Sequence, residues 1–160
     1  MTSQKISSGI LIFKRSPELK VFLVHPGGPF WKNKDEGAWS IPKGEIDDGN
    51  FSQEAMLKNA KRELEEETGI SPPEENEKYF YLGEIKQKSG KVVHAWAYEG
   101  DWSGLLMCSS FAEIEWPHKS GERIKVPEVD KAGFFTIAQA RKKINSAQST
   151  FLDKLEEKLK

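Results

Sequence analysis

The chain has 160 residues, room for one domain and little for a second. Lys plus Arg (24) almost balance Asp plus Glu (25), giving a formal net charge of -1. That argues against a nucleic-acid polymer as partner but leaves a small anionic substrate open, because local charges or bound cations can neutralise phosphates. The lone cysteine, Cys108, excludes an intramolecular disulfide and a four-cysteine zinc site and fits a reducing cytoplasm, and no stretch reads as a signal peptide or approaches the ~20 apolar residues of a membrane span.

In chain order, Ile10 to Phe13 and Val21 to Val24 are short apolar runs that read as buried strands, with Arg15-Ser16-Pro17-Glu18 as the turn between them. His25-Pro26-Gly27-Gly28-Pro29 breaks regular structure, and a polar loop from Lys32 to Gly37 leads into Trp39-Ser40-Ile41-Pro42-Lys43-Gly44. A long helix is predicted from about Ser52 to Thr68, with Ser52 as N-cap and Gly69 as C-cap glycine. Tyr79 to Gln87 and Val92 to Tyr98 read as strands around a hairpin turn at Lys88-Ser89-Gly90-Lys91. Phe111 to Trp116 alternates with period two, as a half-buried strand does. Phe134-Phe135 precedes a helix capped at Thr136, and a last helix carries Phe151, Leu152, Leu155 and Leu159 on one stripe. This order predicts an α/β domain with a mixed sheet packed by helices.

The central helix carries the most specific chemistry. At ~100° per residue, Glu67 lies about +40° and Glu66 about -60° from Glu63, so three carboxylates share one face. Arg62 flanks them in ion-pair spacing to Glu66. Met56, Leu57, Ala60 and Leu64 form an adjoining apolar stripe, which puts the acidic face at the core boundary rather than opposite it. An acidic run on a helix is most often a solvated face. Carboxylates this close repel one another when ionised unless a cation sits among them, and hard oxygen donors suit Mg²⁺ or Mn²⁺.

Arg62-Glu63-Leu64-Glu65-Glu66-Glu67-Thr68-Gly69-Ile70 resembles the second half of the Nudix signature. The first half departs from it. Gly44 stands in the place of the signature glycine but about four residues too early, which reads as an insertion of about one helical turn between Gly44 and Arg62. Glu54 keeps the spacing to Arg62, but the insertion leaves its role open. Ser8 to Phe13 is similar to the family's first core strand, Trp39 to Gly44 to the segment entering the signature in dinucleoside polyphosphate hydrolases, and Phe134-Phe135-Thr136 with its helix to the closing unit.

The resemblance implies a single domain over residues 1–160, an α/β/α sandwich around a mixed β-sheet, and Mg²⁺-dependent (or Mn²⁺-dependent) hydrolysis of a phosphoanhydride in a nucleoside diphosphate linked to another moiety. It implies metal ligation by Glu63, Glu66, Glu67 and the Gly44 carbonyl, orientation of the glutamates by Arg62, and a further glutamate outside the motif as ligand or general base. Position favours Glu128, with Glu113 and Glu115 as rivals. Lys43 is the candidate phosphate contact, and Trp39 is the leading base-stacking candidate among Trp96, Trp102 and Trp116. Gly27 and Gly28 read as a phosphate cradle or a plain turn, and His25, His94 and His118 lack zinc spacing. The segment from Trp39 to Gly44 tilts the substrate toward dinucleoside polyphosphates or nucleoside triphosphates. Nucleotide sugars, oxidised nucleotides, RNA caps, a non-catalytic nucleotide sensor and an inert scaffold are the alternatives. The oligomeric state is not readable from the chain.

Overall fold

The computed structural model describes residues 5–160. Among the described residues, eight strands and three α-helices follow one another as β1 (Ile6–Lys14), β2 (Lys20–Pro26), β3 (Lys43–Glu45), α1 (Gln53–Thr68), β4 (Phe80–Lys86), β5 (Val92–Glu99), β6 (Phe111–Glu115), β7 (Arg123–Pro127), β8 (Val129–Thr136), α2 (Ile137–Lys143) and α3 (Ser149–Lys158). The main sheet has the order β4-β5-β1-β2-β8, with β3 pairing the free length of β1. β1 runs parallel to β5 and antiparallel to β2 and β3. The sheet is therefore mixed, as expected.

Both faces of β1 are buried, and its alternation divides the core in two. Ile10 and Ile12 point to one side and pack with Met56, Leu57, Ala60 and Leu64 of α1. Leu11 and Phe13 point to the other and pack with Ala140 of α2, Ile144 just beyond it, and Phe151, Leu152 and Leu155 of α3. This is an α/β/α sandwich. The C-terminal apolar stripe is consumed by the chain's own sheet, with Leu159 packed at the margin of that cluster. Among the described residues, no helix is long and apolar enough to cross a membrane.

The caps of α1 are those predicted. Ser52 Oγ accepts from the Ala55 N–H at 3.2 Å, and Gly69 adopts φ 82°, its N–H donating to Glu65 O. Three strands extend the sequence reading. β3 follows directly from the Ile41-Pro42 stretch, too short and polar to show a strand pattern. β8 begins at Val129, well before Phe134. β7 completes a separate two-stranded ribbon with β6 (Phe111↔Pro127 through Glu115↔Arg123), and its alternating charges hide it from a hydrophobic pattern.

Candidate active site

α1 lies on the sheet with its apolar stripe buried, which turns the neighbouring acidic edge toward β3 and the start of β8. Glu63 and Glu67 are buried on this edge. Their carboxylate oxygens and one from Glu128, which stands between β7 and β8, lie within 4.8 Å of one another. β3 closes the floor. The Lys43 N–H donates to Glu67 Oε1 at 3.3 Å, and Gly44 packs so tightly on Glu63 that a Cβ there would overlap its carboxylate. The glycine is thus required by close approach.

Asn59, one turn before Glu63, joins helix to floor by donating to Gly44 O at 3.1 Å and Ser8 Oγ at 3.0 Å. Its Oδ1 accepts from Arg62 at 2.6 Å. The Arg62 guanidinium also lies 3.2 Å from Glu63 and 3.1 Å from Glu66. Glu66 is drawn to this outer side and lies apart from the cluster of Glu63, Glu67 and Glu128.

Burial raises the pKa of Glu63, with Arg62 opposing and Glu66, Glu128 and Asp47 reinforcing the rise. Glu67 is pushed up to about 8 from an ordinary 4.5, first by burial and then by Glu63. Lys43 is shifted down by burial and by Lys91, against the pull of Glu67, Glu45 and Glu63. Buried carboxylates that resist ionisation and offer hard oxygen donors fit a divalent cation.

The cluster sits in a cleft of about 1030 Å³ that also receives Lys43, Lys91, Phe30, Trp31 and Trp116. A smaller polar chamber of about 260 Å³ opens from the same line of Lys43, Glu67 and Glu128 toward Ser40, Asn145 and Gln148.

Several sequence expectations change here. Trp39 is not a stacking platform: it is 6% exposed, its Nε1–H donates to Asp35, and its ring packs on His25 and Phe135. Trp96 is buried against Tyr81 and Trp102 packs on Phe22, so of the four tryptophans considered only Trp116 lines the large cleft. Glu113 is engaged by Arg123 and Glu115 accepts from the Lys119 N–H, which leaves Glu128 as the non-helical member of the cluster. Glu54 is exposed in the first turn of α1, about 13 Å along the axis from Glu63. Gly27 and Gly28 face β7: a side chain on Gly27 would overlap the Pro127 carbonyl, and Gly28 lies against Val126. Phe30, Trp31, Asn59 and Lys91 were not anticipated. Asn59 alone left a trace, a polar residue four before Glu63 on the same helical face.

The family model described as the NUDIX domain matches residues 4–155. The chain belongs to the Nudix family. Over 39 residues it is 56% identical to an RNA pyrophosphohydrolase of Erythrobacter litoralis (strain HTCC2594), a match spanning 24% of this chain and 21% of that protein. The Nudix fold is shared with the NUDIX domain of Shewanella oneidensis NrtR complexed with ADP ribose, at a TM-score of 0.64 and 18% identity over 100% of this chain and 91% of that one. It is shared too with a C. elegans Ap4A hydrolase, at 0.63 and 17% over 96% and 97%, and with the MutT protein of Methanosarcina mazei, at 0.58 and 15% over 100% and 99%.

Proposed function

We propose that this protein is a divalent-metal-dependent pyrophosphohydrolase acting on a nucleoside diphosphate linked to another moiety, with dinucleoside polyphosphates and nucleoside triphosphates as its substrates. The observation that carries this reading is the convergence of Glu63, Glu67 and Glu128 beside the Lys43–Gly44 floor. These three carboxylates would hold Mg²⁺ or Mn²⁺, with Glu66 and the Gly44 carbonyl at the margin. A metal there supplies charge neutralisation of the phosphates and a bound water of lowered pKa. Arg62 fixes the Glu63 and Glu66 carboxylates, and Lys43 presents its ammonium to a phosphate in the cleft. Glu128 is the most exposed of the three carboxylates, which suits it to take the proton of the attacking water. The cleft volume of about 1030 Å³ is at the upper end for small-molecule sites and favours a substrate with two sizeable moieties. A single domain in a reducing cytoplasm belongs to the same proposal, supported by the lone thiol Cys108.

A second reading, release of pyrophosphate from a triphosphorylated RNA end, is favoured by the local match to an RNA pyrophosphohydrolase. The near-neutral charge of -1 weighs against it. The test is turnover with Mg²⁺ on nucleoside triphosphates, dinucleoside polyphosphates, nucleotide sugars and 5′-triphosphorylated RNA, resolved by chromatography, beside Glu67→Gln. The expected result is metal-dependent turnover reduced about 100-fold or more in the variant, since even residues supporting a metal ligand commonly contribute 10–100-fold. Metal-independent turnover, or a fully active variant, would remove the reading. Nucleotide binding without turnover would identify a sensor.

A further inference from the structure

Among the described residues, the ribbon of β6 and β7 pairs with no strand of the main sheet. A lone two-stranded ribbon is marginally stable in water, and packing of one face is what normally holds it. Here the alternation of β6 sends Phe111 and Glu113 outward, where both are exposed, while Ala112, Ile114 and the following Trp116 line the large cleft. On the ribbon's inner face Val126 is buried against Gly28, whereas Ala112, Ile114 and Trp116 are left facing the cleft. Phe30 and Trp31, in edge contact with each other at 4.9 Å, line the same cleft from the loop after β2. The ribbon is also anchored at the acidic cluster: Glu128 N–H donates to Ser110 O at 2.9 Å, and Gly27 N–H donates to Glu128 O at 3.1 Å. A ligand held by the ribbon is thereby continuous with the phosphate-cleaving centre.

We propose that the ribbon is the base-recognition element of this site, with Ile114 and Trp116 on one side and the Phe30–Trp31 wall on the other taking the planar base of the nucleotide whose phosphates reach Glu63, Glu67 and Glu128. The proposal rests on the nucleotide-hydrolase reading for the identity of the occupant. It assigns specificity to residues outside the signature and makes Trp116 a binding residue with no part in bond cleavage. An aromatic face in contact with a base commonly contributes enough to change affinity by about 10-fold.

The deciding experiment is calorimetry of the full chain in Ca²⁺, comparing wild type, Trp116→Ala and Trp116→Phe. The four nucleoside triphosphates and inorganic tripolyphosphate, which keeps the phosphates and lacks the base, are titrated separately. The expected result is an affinity for the best nucleotide about 10-fold weaker in Trp116→Ala, largely restored in Trp116→Phe, with tripolyphosphate bound equally by all three. Equal losses on nucleotide and tripolyphosphate, an unchanged nucleotide affinity in Trp116→Ala, or a wild type that binds no nucleotide more tightly than tripolyphosphate would each overturn it. Turnover is measured separately. Base-dependent binding without turnover would defeat the hydrolase reading and leave the base site standing.

Discussion

At the residue scale, Glu67 shows how burial prepares a carboxylate for a cation. Its pKa, about 8 against an ordinary 4.5, means that the folded metal-free protein keeps a proton that the unfolded chain releases across that interval. Stability is thus fullest below about pH 4.5 for this group and is lost as pH rises through about 8. A bound divalent cation displaces the proton, so stabilisation by Mg²⁺ grows with pH over the same window. Melting temperatures from pH 5 to 9 should fall in the metal-free protein, fall less in Glu67→Gln, and recover on adding Mg²⁺; identical curves for wild type and variant would sink this account. Glu63 and Glu67 were legible from a ~100° helical step beside an apolar stripe. The departure of Glu66 from that group was not, because Arg62 pairs with both Glu63 and Glu66, and only the folded ion pair shows Glu66 held on the outer side.

At the element scale, α1 is a rigid carrier whose ends and middle have separable duties. Ser52 caps the N-terminus, about three turns from Glu63. Replacing it with Ala should cost about 1 kcal/mol, a drop of about 2–4 °C in melting temperature, with kcat unchanged. A fall in kcat comparable to that of Glu67→Gln would show that fraying of the first turn reaches the glutamates. The helix was readable because cap, stripe and C-cap glycine are local signals. The ribbon was half readable: β6 alternates, but β7 (Arg-Ile-Lys-Val-Pro) has only Val126 buried. Its pairing follows from cross-strand partners such as Glu113 opposite Lys125 and Ile114 opposite Ile124, which no single segment reveals. β3 escaped because a strand of three residues is defined by its hydrogen bonds to β1 and not by composition.

At the scale of the whole molecule, the sheet is covered on both faces, and α3 closes the face opposite the acidic helix. Phe151 is fully buried there with Leu152 and Leu155. Phe151→Ala should therefore destabilise the fold by about 3–5 kcal/mol, read as a lower denaturant midpoint with an unchanged slope. A loss below about 1 kcal/mol would mean that the C-terminal helix is an appendage and not part of the core. The mixed sheet packed by helices, the caps of α1 and the shared face of its carboxylates were determined by the chain alone, because periodicity, capping and charge spacing act over a few residues and leave their imprint in order. Which tryptophan is core and which lines the cleft, and which strand builds the cleft wall, were decided by tertiary structure, whereas Glu128 was already favoured by the family resemblance and is brought beside Glu63 and Glu67 by the fold. Those choices depend on the direction a side chain faces after segments tens of residues apart have packed: Trp39 turns under the sheet to meet Phe135, while Trp116 is carried out to the cleft by a ribbon whose other strand comes later in the chain.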